Sequence, residues 1–266
     1  MVDPALLELV ASLAAGLAGK SGGPPLIGVA GAQGCGKTTL ARAAAGRLGG
    51  AVLSLDDVYR TRTERARLGR EVHPLLAVRG PPGTHDLALA ERTIAALTAA
   101  GPGTLTPLPA FDKLADDRAA AADWPVFRGR PAVILIDGWC LGATAQPAAA
   151  LAEPVNALER EEDADGVWRR RVNAALAGRY QTFLDRFDAI IHLAAPGFDT
   201  VLDWRCEQEA GLLGIAPGDL PASRREALGR FIQHFERITR HMLAGGVRAD
   251  VVARLTADRQ LVKPGI

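Results

Sequence analysis

The feature that most constrains this chain is a glycine-rich octapeptide that ends in a lysine and a threonine. It runs from Gly31 to Thr38 as G-A-Q-G-C-G-K-T and fits the pattern G-x-x-x-x-G-K-[ST] at every fixed position. Glycines let the backbone curl so that successive N–H groups point inward at phosphate oxygens. An apolar run over residues 26–30 precedes the octapeptide, and an alanine-rich helical segment follows it. This strand–loop–helix context predicts a cradle for the phosphates of a nucleotide.

Each residue type in this phosphate loop (residues 31–38) has a predicted role. Lys37 is expected to reach the β- and γ-phosphates, and the hydroxyl of Thr38 is expected to bind Mg²⁺. ATP and Mg²⁺ are therefore the expected cofactors. The predicted nucleotide-binding residues are Gly31, Gln33, Gly34, Cys35, Gly36, Lys37, Thr38 and Thr39.

Four further apolar runs alternate with helical patterns along the chain, at residues 51–55, 132–136, 189–193 and 251–255. Short apolar strands that alternate with helices are typical of a parallel sheet covered on both faces. We predict an α/β fold, a three-layer sandwich with a mainly parallel five-stranded sheet covered by helices on both faces, in a single domain over residues 1–266. Residues 142–166 are rich in Ala and Pro and then acidic, which predicts a surface excursion.

Composition bears on partners and location. The formal net charge is +1, which gives no case for binding nucleic acid or an anionic membrane. The apolar segment 5–18 is too short to span a bilayer and is predicted to be an amphipathic helix that packs on the domain. The 3 Cys residues are widely spaced, as expected of reduced thiols in a cytoplasmic protein. The expected partner is a small molecule, and the oligomeric state stays open.

Carboxylates follow two of the predicted strands, at the edge where ligands of such sheets bind. Asp56 and Asp57 follow the second run, and Asp137 follows the third. Asp137 is predicted to hold Mg²⁺ directly or through water. Asp56 is predicted to accept the proton of an attacking hydroxyl, and Asp57 is the weaker candidate for that role. The alternative is that these acids only cap turns.

Several stretches in the same order resemble the ATP-dependent D-glycerate 3-kinases. That family is a branch of the P-loop kinases that includes uridine kinase, phosphoribulokinase and pantothenate kinase. The stretches are residues 31–39, 53–59 (L-S-L-D-D-V-Y), 79–86 (R-G-P-P-G-T-H-D), 108–113 (L-P-A-F-D-K), 134–139 and 203–209 (D-W-R-C-E-Q-E). The resemblance implies a P-loop NTPase fold and the phosphorylation of D-glycerate to a phosphoglycerate.

The resemblance also implies roles for particular residues. The catalytic base carries over to Asp56 and the strand-end acid to Asp137, where the family usually has the longer glutamate. It further implies an acceptor side within residues 59–130 and a mobile lid within residues 197–225. Arg205 in that lid is expected to reach the phosphates during catalysis, and its alternative is an ion pair with Glu209.

The acceptor side contains several polar side chains. Arg79 is the preferred clamp for an acceptor carboxylate, because its planar fork suits two oxygens. The predicted substrate-binding residues are Asp57, Tyr59, Arg79, His85, Lys113 and Arg118. For the arginines the alternative is a solvated loop or a structural ion pair, and for His85 it is a place beside a helix cap at Asp86.

Three other functions stay open on the sequence alone. One is a small-molecule kinase of the same superfamily that acts on a nucleoside, pantothenate or a sugar phosphate. Another is a nucleotide-dependent regulatory ATPase whose output is partner binding. The third is a chain that binds ATP but has lost catalysis, for which the shorter Asp137 is the hint.

Overall fold

A five-stranded parallel sheet lies at the centre of the computed structural model, which describes residues 2–20 and 22–262. Residues 1, 21 and 263–266 of the predicted domain lie outside the described residues. The strands of the chain are β1 (Leu26–Gly31), β2 (Ala51–Ser54), β3 (Leu105–Pro107), β4 (Phe111–Asp112), β5 (Asp117–Arg118), β6 (Val126–Arg128), β7 (Ile134–Gly138), β8 (Ala189–Ala194) and β9 (Val251–Arg254). The central sheet has the order β2-β7-β1-β8-β9, and all of its neighbours run parallel.

Helices cover both faces of this sheet. They are α1 (Pro4–Leu17), α2 (Lys37–Leu48), α3 (Arg62–Glu71), α4 (Leu87–Ala99), α5 (Ala157–Glu162), α6 (Val167–Ala175), α7 (Gln181–Leu184), α8 (Asp199–Leu213) and α9 (Ala222–Leu243). Successive strand residues point to opposite faces. Ile27 and Val29 of β1 accordingly pack with α1 and α2, whereas Leu26 and Ala30 pack with α4, α6 and α9. The predicted three-layer α/β sandwich is confirmed.

Local signals fix several helix ends. Asp86 caps α4, because its side chain accepts a hydrogen bond from the Leu89 amide at 2.9 Å. Gly36 precedes α2 in the left-handed conformation, with φ of 92°. α6 and α7 are joined by one π-helical turn at Leu176–Tyr180. None of the helices within residues 2–20 and 22–262 is long and apolar enough to cross a membrane.

The chain segment that connects β2 to β7 forms two small antiparallel strand pairs, which the apolar runs of the sequence do not predict. β3 pairs with β6, and β4 pairs with β5. The β4–β5 turn places Asp116 in the left-handed region, with φ of 53°. The β4–β5 pair contributes to the wall of the cleft described below, because Lys113 lies in the turn between β4 and β5.

Residues 142–166 lie partly exposed at the surface, as predicted, but buried side chains anchor the segment to the domain. Leu151 and Leu158 of this segment are buried, and so are two acids. Glu159 is fully buried and accepts hydrogen bonds from Arg237 of α9 at 2.7 and 2.6 Å. Asp163, also fully buried, pairs with Arg169 at 3.0 Å. Buried charges need such partners, and the segment is therefore docked on α9 and α6 by charge-assisted hydrogen bonds.

We predict that Arg237→Ala destabilises the protein by about 3–5 kcal/mol, because it leaves the Glu159 carboxylate buried without its partner. Urea unfolding measures this loss. Arg240→Ala is the matched control, since Arg240 pairs with Glu236 on the same helix while its own side chain is 52% exposed. An exposed pair contributes only about 0–1 kcal/mol. Equal losses for the two variants would contradict the docking role of Arg237.

Candidate functional site

A cleft of about 670 Å³ opens at the carboxyl ends of the central strands. The phosphate loop forms its floor, because it follows β1 at the middle of the sheet. One wall comes from the chain after β2 and another from α8. The lining side chains include Gln33, Lys37, Thr38, Thr39, Asp56, Tyr59, Arg79, Lys113, Trp204 and Arg205.

The conformation of the phosphate loop depends on its glycines. Gly34 and Gly36 have φ of 77° and 92°, which side chains with a Cβ rarely adopt. A Cβ on Gly34 would also lie 2.6 Å from the Cβ of Trp204 in α8. Lys37 is 9% exposed, and its ammonium lies 3.4 Å from the Ala32 carbonyl within the loop. The glycines thus set the shape of the loop, and the ammonium of Lys37 lies within it.

Cys35 is the fifth residue of the same loop, and its side chain is buried. Its side chain is 2% exposed, and a Cβ built on Gly31 would approach its Sγ to 2.6 Å. Burial raises the pKa of this thiol, although Lys37 acts in the opposite direction. A protonated, buried thiol is a poor nucleophile. Cys35 therefore contributes its backbone and its packing to the loop.

Asp137 lies under the phosphate loop at the end of β7 and is 1% exposed. Its Oδ1 accepts a hydrogen bond from Ser54 at 2.7 Å, and the Thr38 hydroxyl lies beside the carboxylate. Its Oδ2 is buried and has no hydrogen-bond partner. Burial raises the pKa of this carboxyl group, and Lys37 counteracts the rise. An orphaned carboxylate oxygen beside a hydroxyl matches the oxygen ligands that Mg²⁺ prefers.

Asp56 faces the cleft from the turn that follows β2. Its Oδ1 accepts a hydrogen bond from the Tyr59 hydroxyl at 2.7 Å, and its Oδ2 lies 3.4 Å from the ammonium of Lys113. Burial alone would raise the pKa of Asp56, but Lys113, Lys37 and the Tyr59 hydrogen bond outweigh burial and lower it. The carboxylate is therefore ionised at neutral pH and can accept a proton.

Asp57 has a different environment. It does not line the cleft, and burial raises its pKa to about 6, with Lys113 opposing the rise and Asp56 adding to it. The different surroundings thus shift the pKa values of the two adjacent acids in opposite directions: Asp56 is ionised in the cleft, and Asp57 does not line it. A difference in pKa between two neighbouring acids is typical of a pair in which one member acts as a base.

Three cations line the cleft together with Asp56. Arg79 pairs with Asp116, and its guanidinium lies 5.6 Å from the ring centre of Phe111. Lys113 is 58% exposed and approaches Asp56. Arg205 donates to Gln208 at 2.8 Å and to Glu209 at 3.4 Å. The ion pair with Glu209, named above as the alternative to a role at the phosphates, is therefore present in the structure. Burial lowers the pKa of Arg205. The side chains of Arg79, Lys113 and Arg205 all line the cleft.

Two predicted substrate residues lie behind the cleft wall instead. His85 is 2% exposed, and its ring stacks on Tyr59 with centroids 4.9 Å apart. Burial lowers the pKa of His85 to about 4, so the ring is neutral at physiological pH. Arg118 donates to the Tyr59 carbonyl at 2.9 Å and to Asp86 at 3.1 Å. Both side chains hold Tyr59, which in turn donates to Asp56.

No sequence pattern indicates some residues of the site. Ser54 does not line the cleft, but its hydroxyl holds Asp137. Phe231 and Phe235 of α9 also line the cleft, together with Trp139. Arg259 has no local motif to indicate it. Its Nε donates to the Gly34 carbonyl at 2.7 Å, and its guanidinium lies 5.1 Å from the Trp204 ring centre.

Comparison with known proteins gives a consistent picture of the fold. No family model matches the chain. A solved D-glycerate 3-kinase from Cryptococcus neoformans var. grubii superposes with a TM-score of 0.71 at 23% identity, covering 91% of this chain and 89% of that one. The chain has the fold of the P-loop kinases. At this level of identity the superposition carries the fold alone.

Two curated proteins match in sequence. The chloroplastic D-glycerate 3-kinase of Arabidopsis thaliana is 34% identical over 205 residues, which are 71% of this chain and 42% of the plant protein. An uncharacterised kinase of Schizosaccharomyces pombe, mug58, is 29% identical over 205 residues, or 72% of each chain. The chain thus spans less than half of the length of the plant relative. The predicted resemblance to D-glycerate 3-kinases and other P-loop kinases is confirmed.

Proposed function

We propose that this P-loop kinase uses ATP to phosphorylate a hydroxyl of a small hydroxy acid, D-glycerate, giving a phosphoglycerate. The observation that carries the proposal is Asp56, an ionised carboxylate that shares one cleft with the phosphate loop and faces Lys113 across 3.4 Å. The sequence similarity to a D-glycerate 3-kinase supports this choice of acceptor.

In this proposal the acceptor lies between the phosphate loop and the wall after β2. Asp56 accepts the proton of the attacking hydroxyl, while Tyr59 fixes the orientation of that carboxylate through its 2.7 Å hydrogen bond. Arg79 and Lys113 supply positive charge for the acceptor carboxylate. Lys37 and the loop amides hold the β- and γ-phosphates, and Arg205 turns from Glu209 to the transferring group when the lid closes.

Mg²⁺ is the metal that the site fits best. The hydroxyl of Thr38 and the orphaned Oδ2 of Asp137 would hold it, directly or through water. When bound, the ion supplies neutralisation of phosphate charge. Ser54 fixes the Asp137 carboxylate by donating to its Oδ1 at 2.7 Å, which leaves Oδ2 without a protein partner.

Asp137→Asn is expected to raise the Mg²⁺ concentration needed for half-maximal activity by about 10- to 100-fold, because the site loses a charged oxygen. Titrating Mg²⁺ at saturating ATP measures this shift. Ser54→Ala is the graded control and should shift the titration in the same direction by less. An unchanged Mg²⁺ requirement in Asp137→Asn would remove Asp137 from the metal site.

The acceptor is tested by coupled ADP release with ATP·Mg²⁺ and a panel of D-glycerate, L-glycerate, uridine, pantothenate and ribulose 5-phosphate. The proposal expects strong stimulation by D-glycerate, with phosphoglycerate identified by mass spectrometry. Stimulation by another member of the panel would move the chain to that acceptor. ATP hydrolysis without any phosphorylated product would favour the regulatory ATPase instead.

We also propose that the protein works in the cytoplasm as an enzyme for a small-molecule substrate. Cys35, Cys140 and Cys206 are buried and unpaired, which suits a reducing compartment. Cell fractionation with an antibody against the protein tests this location.

A further inference from the structure

Asp116, in the turn between β4 and β5, pairs with two arginines from other parts of the chain. Its Oδ1 accepts a hydrogen bond from Nη1 of Arg79, and its Oδ2 lies 3.0 Å from Nη2 of Arg65. The side chain of Arg65 is 1% exposed, whereas that of Arg79 is 27% exposed and lines the cleft. Asp116 itself does not line the cleft. Its carboxylate therefore joins a buried guanidinium to one that a ligand can reach.

Arg65 is a fixed anchor for this carboxylate. Its guanidinium donates to the main-chain carbonyls of Arg60 at 3.1 Å, Ala77 at 2.7 Å and Asp116 at 2.6 Å. A buried cation needs such acceptors. Because all three acceptors are main-chain oxygens, Arg65 keeps its hydrogen bonds when the side chain of Asp116 is replaced.

The charges of this cluster leave Arg79 able to bind an anion. Burial would raise the pKa of Asp116, but the hydrogen bonds and charges of Arg65 and Arg79 lower it, so the carboxylate is ionised at neutral pH. One negative charge is thus shared by two guanidinium groups, and the cluster stays positive. Within the part of the chain that the structure describes, the guanidinium of Arg79 has no hydrogen bond other than that to Asp116. Its Nε and Nη2 form a pair of donors that suits the two oxygens of a carboxylate.

Phe111 of β4 packs against the same guanidinium. Its ring centre lies 5.6 Å from the guanidinium carbon of Arg79, and its ring meets that of Tyr59 edge-on with centroids 5.2 Å apart. Tyr59 in turn donates to Asp56 at 2.7 Å. The Arg79 fork and the proposed base therefore belong to one continuous wall of packed side chains.

We propose that Asp116 is a positioning residue for the acceptor, which it serves by holding Nη1 of Arg79 so that Nε and Nη2 are presented to the acceptor carboxylate. This inference rests on the proposed function, in which Arg79 binds that carboxylate. Asp116 acts through Arg79 and does not touch the acceptor. Fixing the side chain of Arg79 in advance reduces the conformational entropy that is lost when the acceptor binds. The ion pair of Arg79 thus supports ligand binding instead of replacing it.

Asp116→Gly tests the inference, because glycine suits the left-handed φ of 53° and removes only the carboxylate. Steady-state kinetics at saturating ATP·Mg²⁺ should show a rise in KM for D-glycerate of about tenfold, the usual loss for a hydrogen bond between charged groups. The value of kcat should change by less than about twofold, since Asp56 and the phosphate loop are untouched. Urea unfolding should show no loss of stability comparable to the effect on KM. A purely structural role predicts the opposite pattern.

Asp116→Asn is a milder variant and covers the case that Asp116→Gly does not fold. Asparagine tolerates the left-handed conformation and still accepts from Arg79, but it carries no charge. We expect the KM for D-glycerate to rise by about threefold. Asp117→Asn is the matched control on the next residue. Asp117 accepts from the Arg62 amide at 2.9 Å and does not line the cleft, so its replacement should leave KM unchanged.

A double-mutant cycle shows whether Asp116 acts through Arg79. Arg79→Ala should raise the KM at least as much as Asp116→Gly does. Adding Asp116→Gly to Arg79→Ala should then change KM by less than about twofold, because no fork remains to be positioned. Additive effects in this cycle, or an unchanged KM in both Asp116 variants, would overturn the inference and leave the proposed function in place. Failure of the natural chain to phosphorylate D-glycerate would overturn the proposed function, and with it the carboxylate that this inference assigns to Arg79.

Discussion

Replacing Lys37 by alanine is expected to lower kcat by about 10²–10³-fold or more, because a buried ammonium that neutralises developing charge on the β- and γ-phosphates is lost. The fold should survive, since the only described hydrogen bond of this ammonium is the long one to the Ala32 carbonyl, at 3.4 Å. Steady-state kinetics with D-glycerate and a circular dichroism melt measure the two effects.

Lys20→Ala is the control for Lys37→Ala. Lys20 is an exposed lysine just after α1 and lies outside the cleft, so its removal should leave kcat unchanged. Full activity of Lys37→Ala would refute the assignment of the phosphate loop. Loss of activity together with loss of the melting transition would indicate a structural role for this lysine.

Asp56→Asn is expected to lower kcat by about 10²–10⁴-fold, the usual contribution of a general base, while the Kd of ATP stays the same. The asparagine has nearly the same shape and can still accept from Tyr59, so packing should be conserved. Asp57→Asn is the matched control on the neighbouring residue, which does not line the cleft. If Asp57→Asn removes activity and Asp56→Asn does not, the base is the second acid of the pair.

The pH profile separates the same two residues independently. Burial would raise the pKa of Asp56, but Lys113, Lys37 and Tyr59 together lower it below its usual value of 3.8. Asp56 therefore stays ionised as the pH falls through 6, and kcat/KM should show no loss from the base there. Burial raises the pKa of Asp57 to about 6, so a base at Asp57 would lose half of its activity near that pH.

Local patterns were sufficient to predict the central sheet and the phosphate loop. A short, continuous apolar run such as residues 26–30 is typical of a buried strand. The glycines spaced along Gly31 to Thr38 allow the backbone to curl around phosphate oxygens. The pairs β3–β6 and β4–β5 were missed because each strand is two or three residues long, too short for a period to show. The position of each element along the chain was therefore easier to predict than the wall of the cleft.

Contacts between distant residues explain the remaining errors. Residues 142–166 resemble a surface loop in composition, yet Glu159 is buried because Arg237, 78 positions further on, pairs with it. Arg259 reaches the phosphate loop across 225 positions, and no pattern near Arg259 indicates this contact. The roles of Asp56, Arg79 and Arg205 in the site stay predictions, since the structure shows their positions and not their action.

The acceptor wall has an evolutionary consequence that follows from its connectivity. Asp56, Tyr59, Arg79 and Lys113 all come from one uninterrupted stretch between β2 and β7, whereas the phosphate loop, α1 and Arg259 lie outside it. If these residues bind the acceptor as proposed, mutations or insertions within that stretch alter the choice of acceptor while the phosphate loop is inherited intact. A lineage of such enzymes can diversify its substrates by remodelling a single gene segment.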